Sequence, residues 1–421
     1  MSQYLDLSAM NAALKELYDG QVVENLVYAD NPFLAMVKKN TDFGGKYKPI
    51  PIITGASQGR SSTFSNAQGN QSPVQIESFL LTRVADYSIA TIDNQTMLAS
   101  KTDKMSFLEG AKLVIDGAIR SITNSVASSL FRSGTGSIGQ ISTISVAGSG
   151  PYIATIALSN ANDVVQFEVN MYLVATLTDG GAASSDVGVI TKVNRSSGVL
   201  TVQFAASPSV TWAANRYLVV QGDLNLKPKG LAAWLPKAAP STGDNFFGVD
   251  RSVDPTRLGG VRYDGSAQSI EEAIIDASSL LAREGGKPNV CIVSFASYAA
   301  LEKALGSKVT YTELKGPAEI AFRGIMINGA NSMIKVFPDR NCQALTAYLL
   351  QMDTWCLEGL GEVPQILRYG DGLEMLRVSN ADAGEVRVGA YYQLRTNAPG
   401  WNCVVSPVSY THLRAHETEA D

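Results

Sequence analysis

The clearest candidate for a nucleophile is Ser57, in the run GASQG (residues 55–59), which fits the G-x-S-x-G pattern. In α/β-hydrolases this pattern forms a strained turn between a strand and a helix, which exposes the serine. The sequence that follows here, RSSTFSNAQGNQSP, does not predict a helix. A serine nucleophile also needs a base, and the only histidines, His412 and His416, lie in the extreme tail. We therefore interpret GASQG as a glycine-rich loop tip.

The run GTGSIG (residues 134–139) fits the G-x-G-x-x-G pattern of dinucleotide-binding sites. Such a site requires a strand, the glycine loop and then a helix, because the helix N-terminus binds the pyrophosphate. Here a helical pattern precedes the glycines and strand patterns follow them. We interpret the run as a flexible joint leading into an inserted domain. The sequence contains no Walker motif, HExxH motif or EF-hand loop.

The remaining reactive side chains do not form a recognisable site. Adjacent carboxylates such as Glu271/Glu272 and Glu358/Glu362 are interpreted as solvated helix or loop faces. The cysteines lack CxxC or zinc-like spacing and are predicted to be buried, reduced thiols. We predict that the chain is not an enzyme and has no catalytic, cofactor-binding or metal site. The four cysteines are Cys291, Cys342, Cys356 and Cys403.

Composition indicates extensive association. Charged residues make up 17% of the 421 residues, against about 25% in typical soluble chains. Surfaces that are buried against partners are depleted in charge, because desolvating an unpaired ion is costly. The net charge of −5 argues against a dedicated nucleic-acid binder but allows a protein that encloses nucleic acid. With no long apolar stretch and no signal-peptide pattern at the start, we expect a cytoplasmic origin.

The N-terminal third predicts an arm, a hairpin and a long helix. Apolar residues at three- and four-residue steps predict a helix over residues 4–26, which Asn31-Pro32 would end. Strand patterns at 47–54, 74–83 and 87–94 predict a long, weakly anchored β-hairpin with a polar stretch at 55–72. The strongest helix pattern covers residues 103–132, about 45 Å long, with Asp103 as its cap and Gly134 as its stop. Its apolar stripe comprises Phe107, Ala111, Ile115, Ala118, Ile119, Ile122, Val126 and Leu130.

From residue 136 the pattern changes to short strands that are poor in charge and separated by turn sequences. The spacing suits a small barrel or sandwich, inserted between the long helix and a later α+β region. Residues 225–260 are a Pro- and Gly-rich connection. Helices are then predicted at 269–284 and 296–305, and strands at 290–294, 324–327, 333–337, 347–350 and 385–395. The strands predicted in the inserted region are 141–146, 152–158, 172–177, 187–193, 199–204 and 217–220.

This order of elements resembles the major capsid proteins of tailed bacteriophages, with their HK97-like capsid fold. The resemblance covers residues 1–135 and 225–405, and the order of elements carries most of it. Residues 49–100 contain no lysine, so the lysine–asparagine crosslinks of some members are not expected. The matching stretches are NPFL (31–34) with PIPI (49–52), IKVFPDR (334–340), AYLL (347–350), TW (354–355), DG (371–372), and residues 386–395 with PG (399–400).

The resemblance implies an α+β, HK97-like fold: an N-arm, an extended β-hairpin loop, a long spine helix, and peripheral and axial domains, with an inserted small all-β domain. The tail from Tyr410 resembles translated sequencing-adapter sequence, so we exclude it from fold and site arguments. The implied division is 1–45 N-terminal arm, 46–100 extended loop and peripheral-domain strand, 101–135 spine helix, 136–224 inserted β-barrel or sandwich domain, 225–264 connecting segment, 265–380 axial domain, 381–408 return strand of the peripheral domain, and 409–421 atypical tail.

The implied function is a shell protein that self-assembles through hexamers and pentamers around a double-stranded DNA genome. Implied partners are other copies of the chain, a scaffolding protein, a portal, decoration proteins and DNA contacted non-specifically, with no membrane and no cofactor. The implied location is the virion capsid, assembled in the host bacterial cytoplasm. Three alternatives stay open: an encapsulin-like compartment around a cargo enzyme, a phage adhesin that binds carbohydrate through the β module, and, third, a hydrolase that would use Ser57.

Overall fold

The computed structural model describes residues 31–93, 104–148, 150–305, 311–315, 321–368, 375–379 and 381–406. Four features named from the sequence lie outside the described residues: the arm helix over residues 4–26, the cap at Asp103, the DG stretch at 371–372 and the atypical tail 409–421. Among the described residues, no helix is both long enough and apolar enough to span a bilayer.

The first described segment holds a short helix, the hairpin and one further strand. The end of the arm helix, predicted at Asn31-Pro32, lies outside the described residues. A helix that was not predicted begins at Pro32, because proline has no backbone N–H to lose and its fixed φ suits the first helical position. A six-residue helix within the polar stretch was likewise not predicted. In chain order the elements are helix Pro32–Met36, β1 (Lys38–Asn40), β2 (Tyr47–Gly55), helix Phe64–Gly69, β3 (Gln75–Thr82) and β4 (Val84–Asp93).

The predicted hairpin is confirmed. Strand β2 runs antiparallel to β3, from the pair Tyr47↔Thr82 at the root to Gly55↔Gln75 near the tip. Two prolines, Pro49 and Pro51, fit because β2 pairs along one edge only in this two-stranded sheet. The alternation of buried and exposed residues gives the hairpin one face towards the body and one face away from it.

The spine helix covers Lys104–Ser129, about 39 Å at 1.5 Å per residue. The described part of its predicted stripe is buried and packs against β4. The helix ends before the expected Gly134 because Gly230 and Leu231 approach its last turn, with the Leu231 amide donating to the Leu130 carbonyl at 2.7 Å. A Cβ on Gly230 would lie 2.3 Å from that carbonyl oxygen, so glycine allows the approach.

The six predicted strands of the inserted region are present and close into a barrel, in the order β10-β5-β6-β9-β8-β7. The barrel has its own apolar core, which includes Phe167, Phe204 and Trp212. The strands are β5 (Ser137–Ala147), β6 (Tyr152–Leu158), β7 (Tyr172–Thr176), β8 (Gly188–Asn194), β9 (Val199–Phe204) and β10 (Tyr217–Val220).

The segment after the barrel, expected to be a connection, has structure of its own. Its aromatic residues enter the main core, and its last strand joins a sheet. Tertiary contacts outweigh its Pro- and Gly-rich composition here. The elements are helix Leu231–Trp234, β11 (Asn245–Phe246), β12 (Val249–Asp250), helix Pro255–Gly259 and β13 (Val261–Tyr263).

The rest of the chain alternates between two sheets. Ser269 caps the first helix in a capping box with Glu272, as its position before the apolar stripe suggests. In chain order the elements are helix Ile270–Arg283, β14 (Val290–Val293), helix Phe295–Leu305, β15 (Tyr311–Lys315), β16 (Ala321–Asn328), β17 (Met333–Pro338), β18 (Ala347–Leu350), β19 (Trp355–Gly359), β20 (Gln365–Ile366), β21 (Met375–Arg377), β22 (Ala383–Thr396) and β23 (Cys403–Val405).

Seven of the described strands form one sheet, in the order β13-β23-β18-β14-β17-β16-β15. Both of its faces are covered. Cys291 and Val293 of β14 face the two helices, while Val290 and Ile292 belong to the main core. This explains why β14 is a continuous apolar run.

Six of the described strands form a second sheet, in which the long strand β22 pairs with β4, β19, β20 and β21. Two assignments made from the sequence differ here. Trp355 was expected on an axial-domain strand, but β19 pairs with β22 and β1 in this second sheet. Cys403 was expected on the peripheral return strand, but β23 lies in the seven-stranded sheet, between β13 and β18. Strands buried on both faces have the same apolar pattern in either sheet, so the pattern does not distinguish them.

Candidate functional site

Ser57 lies on an exposed loop just beyond the end of β2. The residue after it, Gln58, bridges back to Ser72 across the hairpin, and the next helix begins only at Phe64. A nucleophile elbow needs a helix directly after the serine. GASQG is therefore part of the hairpin tip, as predicted.

The GTGSIG run connects the end of the spine helix to β5, so the order is helix, glycines, strand. Gly134 and Gly136 have φ of +92° and +85°, a region that favours glycine. The expected flexible joint is hydrogen-bonded to the returning chain instead: the Asn225 amide donates to the Thr135 carbonyl at 2.9 Å. A Cβ on Gly136 would lie 2.5 Å from the Asp223 carbonyl oxygen, so the two linkers are in close contact.

The prediction of buried, reduced thiols is confirmed for all four cysteines. Burial raises the pKa of the Cys291, Cys342 and Cys403 thiols, which suppresses the reactive thiolate. Among the described residues, no group of three or more His, Cys, Asp or Glu side chains could hold a metal ion.

The solvated interpretation of Glu358 is wrong. Its side chain is fully buried and accepts hydrogen bonds from Lys48, at 2.5 Å, and from Arg395. Sequence reasoning missed this because the ion pair joins residues 310 positions apart. A signal was available: Glu358 lies within the strand pattern WCLEG, on the same face as the buried Cys356.

These three residues connect the hairpin root to the second sheet. Burial by itself raises the pKa of Glu358, but the hydrogen bonds and positive charges of Lys48 and Arg395 outweigh it, so the pKa lies below its ordinary value. Glu358 is thus held as a carboxylate. Because Lys48 belongs to β2 and Arg395 to β22, the ion cluster fixes the hairpin on the sheet.

On its other strand, the hairpin root is held by aromatic residues. Phe79 of β3 packs edge-to-face against Trp234, with ring centroids 5.2 Å apart, and Trp234 packs on Phe246 at 4.9 Å. The buried Arg251 lies over the Phe246 ring at 4.0 Å. The Leu80 amide donates to the Phe247 carbonyl at 2.8 Å. The root of the hairpin is therefore firmly anchored, which corrects the expectation of a weakly anchored one.

The outer face of the hairpin is apolar and exposed. Ile53 and Ile76 lie directly opposite each other on β2 and β3, and 50% and 63% of their surfaces are exposed. At the tip, 82% of the Phe64 surface is exposed. Such a continuous apolar patch on an otherwise well-packed chain is typical of an interaction surface. This outer face comprises Tyr47, Pro49, Pro51, Ile53, Ile76 and Leu80.

The barrel is fixed to the body by polar contacts. Lys227, on the returning linker, contacts Asp86 of β4 at 2.8 Å and Asp223 at 3.1 Å. Burial raises the pKa of Asp223, and the charge of Lys227 partly offsets that effect. Arg132, just beyond the spine helix, pairs with Asp163 of the barrel at 3.1 Å. A cleft of about 570 Å³ remains between barrel, spine helix and β4.

No known protein-family model matches the chain, and no curated protein matches its sequence. Among solved structures, the capsid asymmetric unit of cyanophage A-1(L) aligns with a TM-score of 0.51 and 13% identity, covering 93% of this chain and 99% of the phage chain. The capsid of a native GTA particle aligns at 0.45 and 8% identity, covering 89% of this chain and 90% of that one. The holo-SrpI encapsulin complex from Synechococcus elongatus PCC 7942 aligns at 0.43 and 8% identity, covering 96% and 98%.

The cyanophage alignment extends over nearly the whole of both chains. At this identity the likeness concerns the fold. The chain therefore has an α+β, HK97-like capsid fold.

Proposed function

We propose that the chain is the major capsid protein of a tailed bacteriophage, which assembles through hexamers and pentamers into an icosahedral shell around double-stranded DNA. The observation that supports this most is the hairpin, which is firmly anchored at its root and has an exposed apolar outer face. The capsid fold agrees with this proposal.

The described residues of the chain leave the outer face exposed. Burying apolar surface contributes about 25 cal/mol of stability per Å². A second copy that covers this face would therefore form a complex stabilised by the apolar area buried between the two copies. The hairpin projects from the body, so it would meet a different surface of the next copy. A contact of this head-to-tail kind closes into rings when the rotation allows, and hexamers and pentamers are such rings.

We assign the parts of the chain by analogy with the capsid fold. The hairpin is the extended loop, and the spine helix with the six-stranded sheet forms the peripheral domain. The seven-stranded sheet with its two helices forms the axial domain, and the barrel is the inserted domain. Scaffolding, portal and decoration proteins and non-specifically contacted DNA are the further partners that this assignment implies.

The experiment is negative-stain microscopy of purified wild type, Ile76→Asp and Ile76→Val. We expect rings or shells from the wild type and from Ile76→Val, which keeps the apolar face. Ile76→Asp should give dispersed subunits, because it places a charge within the contact. Its melting temperature as a subunit should stay close to that of the wild type, because Ile76 is exposed.

A dispersed 45 kDa wild type at high concentration, also with a scaffolding partner, would contradict the proposal. Normal shells from Ile76→Asp would contradict the role of the outer face while leaving the shell function intact. Light scattering measures both outcomes in solution.

A further inference from the structure

Three distant parts of the chain meet at a buried polar cluster just after β17. The cluster comprises Asp339 and Asn341 of that loop, Asn31 of the N-terminal segment and Gln166 of the barrel. Asp339, Asn341 and Asn31 are each at most 2% exposed. The first described residues of the chain are therefore buried against the loop that follows β17.

The hydrogen bonds run in a chain through this cluster. Asp339 accepts from the Phe33 amide at 3.3 Å and from the Asn341 amide at 2.8 Å. The Asn341 side-chain amide donates to Asn31 at 3.0 Å and accepts from Gln166 at 3.1 Å. Because Pro32 has no N–H, the Phe33 amide is the first donor of the helix Pro32–Met36, and Asp339 binds it from 306 residues away.

Asp339 is a buried carboxylate that forms no ion pair with the described residues. No Lys or Arg nitrogen of the described residues lies within 4.0 Å of it, and the adjacent Arg340 directs its guanidinium to Asn124. The helix Pro32–Met36 has no titratable side chain, and β14 contributes only Cys291. The other nearby group on the loop is Cys342, which the charges of Lys237 and Arg132 influence in turn.

We propose that Asp339 couples the docking of the N-terminal segment 31–37 to pH, so that acid tightens the docking and neutral pH loosens it. When the segment opens, water reaches the carboxylate, and the charged form is no longer penalised by burial. The closed state therefore favours the protonated carboxyl, and the open state favours the carboxylate. This inference does not depend on whether the chain forms shells.

The sign and the size follow from linkage. Burial raises the pKa of Asp339 from 3.8 to about 6 in the closed state, because the Asn341 and Phe33 hydrogen bonds and the charge of Arg340 offset it only in part. In the open state the pKa returns towards its ordinary value. Closure thus takes up a proton between about pH 4 and 6, and docking weakens as pH rises through the closed-state value. For this pair of pKa values, docking is about tenfold more favourable at pH 5.0 than at pH 7.5.

Hydrogen exchange of the full-length protein tests this. The Ala35 and Val37 amides donate to the Asn31 and Phe33 carbonyls, so peptides covering residues 31–40 report on opening. After correction for the intrinsic exchange rate, we expect the wild type to open about tenfold less at pH 5.0 than at pH 7.5. Asp339→Asn should change less than twofold. Asp353→Asn, which neutralises an exposed carboxylate, should keep the tenfold change.

A pH-independent wild type would overturn the proposal, and so would a tenfold change that persists in Asp339→Asn. If Asp339→Asn does not fold, Asp339→Ser makes the same comparison with a smaller neutral side chain. Wild-type exchange of the barrel peptides serves as an internal reference, because the barrel core contains no buried carboxylate among the described residues.

Discussion

The hairpin and the barrel are both β structures that flank the spine helix, yet they satisfy their apolar residues in opposite ways. The barrel closes on itself, so its strands have no free edge, and Phe167, Phe204 and Trp212 are buried in its core. The hairpin has two strands, one face packed on the body and one face exposed. A two-stranded sheet has no interior, and it depends on surfaces outside itself.

This difference indicates where the chain needs partners. The barrel has a closed sheet and a core of its own, and it is joined to the body through two linkers and a few polar contacts such as Lys227–Asp86. The hairpin root packs against the body through Glu358 and Phe79, whereas the outer face is exposed and, under the proposed function, would be covered by another copy. We therefore expect assembly to depend on the hairpin, and we expect the barrel to be stable without the rest of the chain.

The largest expected effect is on isolated fragments. Residues 136–223, the barrel, should fold alone, since the core and hydrogen-bonded edges are internal. Residues 46–83, the hairpin, should be unfolded, because Phe79 and Leu81 lose the body against which they pack. Circular dichroism should show a cooperative melt for the barrel and a random-coil spectrum for the hairpin. An unfolded barrel fragment would mean that the body supports it.

The next effect separates barrel and body within the intact chain. Ile119 is buried in the spine helix, and truncation to Ala should cost about 2–5 kcal/mol. Ile119→Asp should cost more, because it also buries an unpaired charge. We expect protease digestion of Ile119→Asp to degrade the body and leave a barrel fragment. Lys112→Ala, on the exposed side of the same helix, should resemble the wild type. An Ile119→Asp variant with an unchanged melting temperature would contradict the packing of the spine helix.

The elements of both regions could be predicted from the sequence, because strand alternation and helical stripes are local patterns. The strands Tyr152–Leu158, Val199–Phe204 and Tyr217–Val220 match residue for residue. The helix that begins at Pro32 was missed, since a short buried helix has little periodicity. What could not be predicted was which sheet receives each strand, because Trp355 and Cys403 lie in similar apolar runs.

The anchoring of the hairpin root also could not be predicted from the sequence. Glu358 and Glu362 form an unremarkable pair of carboxylates by sequence, yet one is fully buried and the other exposed. The partner Lys48 is 310 residues away, and no local rule relates two such positions. Asp339 and Phe33 are a second pair of this kind.

Glu358→Gln sharpens the comparison at the hairpin root. The change leaves two positive charges, on Lys48 and Arg395, without their carboxylate. We expect the free energy of unfolding of the body to fall by about 2–3 kcal/mol, below the full value for a buried pair because both cations are partly solvated. Glu362→Gln is the matched control and should stay within about 0.5 kcal/mol. Equal melting temperatures for the two variants would mean that the ion cluster does not anchor the root.

The same residue predicts a pH dependence. The pKa of Glu358 in the folded chain lies below its ordinary value of 4.5. Its contribution to stability is therefore complete above pH 4.5 and is lost as pH falls through the folded-state pKa. Urea unfolding of wild type and Glu358→Gln should give a difference that is constant near neutral pH and shrinks in acid. A difference that grows in acid would reverse the sign and contradict the ion pair.

The smallest effect belongs to the hairpin tip, and Ser57→Ala tests both the tip and the chemistry of GASQG. Ser57 is exposed, and its side chain makes no hydrogen bond or ion pair with another described residue. The variant should stay within about 0.5 kcal/mol of the wild type and should assemble normally. The contrast with Glu358→Gln would then locate the folding energy of the hairpin at its root. Ester hydrolysis by the wild type that disappears in Ser57→Ala would overturn this account, because it would require a base near the tip and a turn that exposes the hydroxyl to substrate. The loop around Ser57 instead continues to the bridge at Gln58 and Ser72, with no helix N-terminus behind it to stabilise an oxyanion.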